Sequence, residues 1–210
     1  MADKATPYRI GEWSLSPEFR LQLDHDGFQY IGRHQIDGKN YAIGLDNLKE
    51  DWKWVIYAFV SFADGGKYIR IGKVEETGLR SRLTPRYLND ALHLKWIYVG
   101  LRNESHGGRY SRPDATAVML SELGRLTTPP WERHMWIKYL VPFGGHGLIF
   151  ARPPVDGENN RPALSAREGE LVGRHDPPCN NETPSGKRRR AEWIAVHGNP
   201  IDQGTKEVGA

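Results

Sequence analysis

Tyr57, Tyr68, Arg70, Lys73, Arg82, Tyr87, Glu168 and Asn180 form, in that order, a set of side chains able to do chemistry together. A phenol is a poor base at its ordinary pKa of about 10, but a neighbouring cation favours the phenolate. Arg70 and Lys73 are such cations. An arginine's planar fork matches phosphate and carboxylate oxygens. A glutamate suits a hard cation such as Mg²⁺, which keeps several waters of its own. Other chemistries lack their residues. There is no HExxH and no GxSxG, and Gly72-Lys73 does not sit in a GxxxxGK[ST] phosphate loop. The eight histidines are dispersed, and the single cysteine, Cys179, excludes an internal disulfide or a Cys-based zinc site.

These residues need elements to position them. "WVIYAFVSF" (54–62) is β-branched and aromatic, "ADGG" (63–66) is a tight turn, and "KYIRIGK" (67–73) alternates. Together they predict an antiparallel hairpin. Strict alternation puts Tyr68, Arg70 and Gly72 on one face and Ile69, Ile71 and Lys73 on the other. "TGLRSRL" starts a helical pattern that carries Arg82, with Pro85 close behind. Ser165 and Glu168 have capping-box spacing at the head of a helix with Leu164, Leu171 and Val172 as its stripe, ended by Pro177-Pro178. "HMWIKYLVPF" (134–143) reads as a strand, 103–114 and 153–162 as loops, and Asp114 as the cap of a helix over 115–126. "FQYIGR" (28–33) and "NYAIG" (40–44) flank an Asp-Gly turn and predict a small hairpin apart from the main one.

The chain's 210 residues suffice for a full hydrophobic core. A net charge of +3 is compatible with a polyanionic partner without requiring one. No apolar run is long enough to span a membrane, the first residues lack a secretion signal, and cysteine usage suits the cytoplasm. The expected organisation is a β-rich N-terminal extension (1–50), a core (51–181) with an insertion at about 94–162, and a polar, basic tail (182–210) that is loose at its end.

Read in order, the set resembles the GIY-YIG nuclease superfamily. "VIY" (55–57) stands where the family has Gly-Ile-Tyr, and "RIGK" (70–73) where it has Tyr-Ile-Gly-Lys. "LRSRL" (79–83) resembles the arginine helix, and "EGELVGRHDPPCN" (168–180) the Glu-x-x-Leu-Ile…Pro-x-x-Asn ending. The resemblance covers about 55–90 and 163–181. Val55 replaces the first glycine, Arg70 replaces the second tyrosine, and the histidine that many members place after the arginine is missing. Tyr68 is the expected substitute for the lost tyrosine, or Arg70 has become a phosphate clamp. A second alignment uses "WIYVG" (96–100) and Arg125, but it needs a long excursion between the strands and lacks the lysine.

The resemblance implies an α+β fold with a small, mainly antiparallel sheet flanked by helices. It implies an Mg²⁺-dependent (or other divalent) DNA endonuclease of restriction or mobile-element type, and cutting both strands favours a homodimer. Tyr57 would then be the base, Arg82 the phosphate clamp, Glu168 the metal ligand and Asn180 a brace. Lys73 would sit beside the phosphate, with Tyr87, Lys187, Arg188, Arg189 and Arg190 on the DNA. The alternatives are a binding module on a degenerate core, or an interaction domain without nucleic acid.

Overall fold

In the computed structural model of the protein, the described residues are 8–37, 40–83, 102–103, 108–109, 138–180 and 182–197. The fold is α+β. Strands β1 (Arg9–Ile10) and β2 (Trp13–Ser14) form a small ladder before helix α1 (Pro17–His25). Ser16 caps α1 by accepting from the Phe19 N–H at 3.1 Å. Then come β3 (Gln29–Asp37), β4 (Asn40–Gly44), β5 (Val55–Ser61), β6 (Lys67–Val74) and the single turn α2 (Leu79–Arg82). A two-residue ladder, β7 (Arg102–Asn103) with β8 (Gly108–Arg109), lies in the segment expected to be a loop. β9 (His146–Ala151), α3 (Arg161–His175) and α4 (Pro184–His197) follow.

The main sheet has the order β4-β3-β9-β5-β6, with every pairing antiparallel. The expected hairpin of β5 and β6 is present. The N-terminal hairpin is not apart from it: β9 pairs with both β3 and β5 and joins the two hairpins into one sheet. The chain from 134 to 143 was expected to form a strand. Residues 138–140 are helical instead, and Val141–Phe143 is a 3-10 turn with Pro142 in its first turn. The strand is the next segment, "HGLIFA", whose hydrophobic run occupies the middle of the sheet.

All seven residues of β5 are buried, because both faces of the sheet are covered. On one face Val55, Tyr57, Phe59 and Ile69 pack with Leu48, Leu79, Leu83 and Leu140. On the other, Ile56, Ala58, Val60, Tyr68 and Ile71 pack under α1 and α3 through Phe19, Leu23, Leu164 and Leu171. Each fully buried leucine of this kind contributes about 1.5–3 kcal/mol.

One irregularity decides which side chains meet. Phe59 faces Arg70 but Val60 faces Tyr68, so Ile69 is an extra residue on β6. This β-bulge breaks the strict alternation expected for "KYIRIGK". Arg70 and Gly72 stay on the face of Tyr57, while Tyr68 turns to the opposite face.

The C-terminal part differs from expectation at two further points. Helix α3 begins four residues before Ser165, and its cap is Asn160, whose side chain accepts from the Ala163 N–H at 3.0 Å. Ser165 therefore lies inside the helix, and Glu168 has no capping role. The helix ends at Asp176 in the left-handed conformation (φ 45°), just before Pro177-Pro178. The Asp176 carboxylate then accepts from the Ser185 N–H at 2.9 Å and from its hydroxyl at 2.6 Å. That carboxylate holds the first turn of α4, the helix that makes up the tail as far as His197.

Candidate active site

Tyr57, Arg70, Lys73, Arg82, Glu168 and Asn180 line one cavity of about 500 Å³ at the outer edge of β6. They are far apart in sequence, and each reaches the cavity for a local reason.

Tyr57 arrives from β5. Its partner across the ladder is Gly72, and a Cβ on Gly72 would meet the Tyr57 hydroxyl at 2.6 Å. Only a glycine there lets the phenol lie across β6 to the cavity floor. The ring itself is buried, with 1% of the residue exposed. Arg70 stands on the same face and donates through Nη1 to the Cys179 carbonyl at 3.3 Å.

Arg82 is delivered by α2. The turn starts at Gly78, where φ is +81° and an added Cβ would strike the Asp51 carboxylate. The Asp51 Oδ1 atom accepts from the Arg80 N–H at 2.7 Å, and the Leu79 N–H donates to the Trp52 carbonyl at 2.8 Å. Leu79 and Leu83 anchor the turn in the core.

Asn180 behaves as a one-residue strand. Its Oδ1 accepts from the Ile71 N–H at 2.9 Å, and its Nδ2 donates to the Ile71 carbonyl at 2.7 Å. The Cys179 N–H donates to the Ile69 carbonyl at 2.9 Å. The segment after α3 thus satisfies the outer edge of β6, a bracing role that also blunts the edge against further pairing.

Helix α3 supplies Glu168 and a polar seam. Arg161, Ser165 and Glu168 are spaced i, i+4, i+7 and lie on one side. Arg161 pairs with Glu75 at 2.7 Å, and Lys73 bonds the Ser165 hydroxyl. The Lys73 ammonium is also 3.4 Å from Glu75 and 3.8 Å from Glu168. Glu168 is at the same time in register with Leu164 and Leu171, the buried stripe of the helix. Being there withdraws its carboxylate from water, which pushes its pKa up. Lys73, then Arg70 and Arg82, pull it back down. Glu75 is held below the usual carboxylate range, first by its hydrogen bond from Arg161.

The cavity therefore gathers cations from two faces of one edge strand around a half-buried carboxylate. Such a site can hold an anion and place a phenol against it. Among the described residues, no three His, Cys, Asp or Glu side chains gather as a metal cluster. A hard cation here would rest on Glu168, with water and ligand oxygens completing its shell. Mg²⁺ accepts that arrangement, and a cation beside Glu168 would offset the burial of its charge, so the residues present fit one.

The other expected residues lie elsewhere. Tyr68 is not in the cavity: its hydroxyl donates to the buried Asp26 at 2.9 Å, and its ring packs on His175 and Phe19. Lys187, Arg188 and Arg190 are exposed on α4, whereas Arg189 is half-buried and paired with Glu192 at 2.6 Å. Tyr87, Arg125, "WIYVG" and the helix expected over 115–126 lie outside the described residues. The sequence reading missed Glu75, Arg161 and Ser165. The signal for Arg161 and Ser165 is their i, i+4, i+7 spacing with Glu168, which the capping-box spacing of Ser165 and Glu168 hides; Glu75 carries no such signal. Among the described residues, no helix is long and apolar enough to cross a membrane. Compared with known proteins, the chain matches no family model, no curated protein and no solved structure.

Proposed function

We propose that the cavity at the edge of β6 is the active site of a Mg²⁺-dependent DNA endonuclease with a GIY-YIG-like core. One observation carries the reading. Tyr57, Arg70, Lys73, Arg82, Glu168 and Asn180, scattered over more than half of the chain, line the same cavity.

In this reading the scissile phosphate enters over Gly72. Arg82 and Arg70 bind its non-bridging oxygens, and Lys73 adds a third positive charge. Arg70 is thus a second guanidinium clamp in the place of the missing tyrosine. Tyr57, acting as the base, takes a proton from water as the water oxygen bonds to phosphorus. The opposite P–O bond breaks, and the departing alkoxide is protonated by solvent. Mg²⁺ held through Glu168 would neutralise charge that develops on the phosphoryl group. Asn180 keeps β6 in place. Lys187, Arg188 and Arg190 offer positive charge to the backbone of the same duplex. With one site per chain, cutting both strands takes two copies or two visits.

The test is a supercoiled plasmid with Mg²⁺, given to the wild type, Arg82→Ala and Glu168→Ala. The expected outcome is metal-dependent nicking by the wild type that falls at least about a hundredfold in both variants. Salt-sensitive binding without cutting would instead favour the binding-module alternative. No cutting and no binding would sink the reading altogether.

A further inference from the structure

The polar seam between α3 and β6 contains an anion that belongs to the protein. Glu75 lines the cavity at the end of β6. Its carboxylate bridges two cations: Oε2 is 2.7 Å from Arg161 and Oε1 is 3.4 Å from Lys73. Lys73 is further engaged by the Ser165 hydroxyl and lies 3.8 Å from Glu168. An ammonium has three N–H donors, and three acceptors surround this one. Arg161 is bound to Glu75 through both Nε and Nη2, which converge on Oε2, and the same two donors can take a phosphate oxygen. Arg161 nonetheless remains 75% exposed, so an incoming anion can reach it.

We infer that Glu75 occupies the place of a ligand phosphate in the resting cavity, neutralising Lys73 and Arg161 until a phosphate oxygen displaces it. This rests on the reading of the cavity as a phosphate-handling site, and it adds a residue that sets anion affinity. Glu75 is a carboxylate on a strand end, so it can swing out without unfolding an element. The two cations exchange one oxyanion for another, which limits binding to ligands able to compete with a tethered carboxylate. A monoanion held by a single contact would fail to do so, whereas a phosphodiester backbone supplies several contacts.

A purely structural ion pair and a competing anion make opposite demands on the two partners. If the Glu75–Arg161 pair only holds α3 against β6, Glu75→Gln and Arg161→Gln weaken binding alike. If Glu75 competes with phosphate, Glu75→Gln tightens binding and Arg161→Gln weakens it. The experiment measures binding of two probes in metal-free buffer: inorganic phosphate, and a duplex of about 20 base pairs, long enough for several backbone contacts. Glu76→Gln removes the same charge from the cavity wall and controls for net charge. Glu75→Gln is expected to bind both probes roughly three- to tenfold more tightly than the wild type, the scale of one or two partly exposed ion pairs. Arg161→Gln is expected to bind severalfold more weakly, and Glu76→Gln to change affinity by less than about twofold. In the cleavage assay Glu75→Gln should lower KM and leave kcat nearly unchanged.

Equal or weaker binding by Glu75→Gln overturns the inference, as does an equal gain in Glu76→Gln. Failure of the inference and failure of the nuclease reading look different. If the wild type cuts plasmid but Glu75→Gln gains no affinity, the inference alone fails. If nothing cuts or binds the duplex, yet Glu75→Gln takes up phosphate more tightly, the inference survives as a property of an anion site and the nuclease reading fails.

Discussion

Two polar clusters hang from the same strand and the same helix, and they are built for opposite ends. The inward face of α3 reads Leu164, Glu168, Leu171, His175 at helical spacing. Glu168 opens onto the cavity. His175, two turns further and roughly 10 Å along the axis, closes on Asp26. That carboxylate is 1% exposed and fully used: it pairs with Arg174 at 2.8 Å and His175 at 2.7 Å, and accepts from Tyr68 at 2.9 Å. His175 in turn meets Gln22 through Nδ1 at 2.9 Å. Space distinguishes the two clusters, since Asp26 has no room for a ligand while Glu168 borders about 500 Å³. The enclosed network fixes the packing of α1, β6 and α3. A roomy, incompletely neutralised one is available for chemistry.

The two tyrosines sharpen the contrast. Tyr57 and Tyr68 are equally buried, at 1% and 2% exposure. The bulge at Ile69 alone decides that one phenol ends in the cavity and the other on Asp26.

Substitutions separate the two clusters. The largest effect on stability is expected for Asp26→Ala, which strands the Tyr68 hydroxyl and His175 in the interior and takes one partner from the partly exposed Arg174. A loss of about 3–5 kcal/mol is predicted, read from urea unfolding, with the chemistry of the folded fraction unchanged. Next comes Gly72→Ala. Its methyl would meet the Tyr57 hydroxyl at 2.6 Å, so overpacking of about 1–3 kcal/mol is expected. Here cleavage should fall together with stability, because the phenol is displaced from the cavity floor. Tyr68→Phe should cost only about 1 kcal/mol, one hydrogen bond among several on Asp26.

The smallest effect is a difference in pH dependence. Burial raises the pKa of Glu168, so its unfolded form loses the proton first. The penalty is complete above the folded pKa and is relieved as pH falls through it toward the unfolded value. Burial lowers the pKa of His175 against the pull of Asp26, with Arg174 and His25 acting in the same sense as burial. Its contribution is intact above the ordinary histidine value and is lost as pH falls below it toward the folded one. Relative to the wild type, Glu168→Gln should therefore gain most at neutral pH, and His175→Gln at acid pH. Unfolding curves across the range from about pH 4 to 8 check both signs.

The legible parts of the molecule were those written in local pattern. The β5–β6 hairpin, the Arg82 turn and the proline stop after α3 follow from strand composition, helical spacing and Pro177-Pro178. The convergence of Tyr57, Lys73, Arg82 and Glu168 could be expected only through the family resemblance, because no local rule brings them together. What failed had identifiable causes. Tyr68 was misplaced because a bulge leaves no mark in an alternating run. Ser165 mimicked a cap, while the cap in use is Asn160, just before Arg161-Pro162. The strand expected over 134–143 was set aside for "HGLIFA", whose partners β3 and β5 are distant in sequence.

In the proposed nuclease the edge cavity performs the cleavage, with Tyr57 and not Tyr68 as its phenol. The most direct measurement is plasmid nicking with Mg²⁺ by Tyr57→Phe and Tyr68→Phe beside the wild type, each shown to be folded. The expected result is a loss of at least about a hundredfold in Tyr57→Phe and near wild-type nicking in Tyr68→Phe. A wild type that does not nick, or a reversed pair in which Tyr68→Phe is dead and Tyr57→Phe cuts, would contradict it.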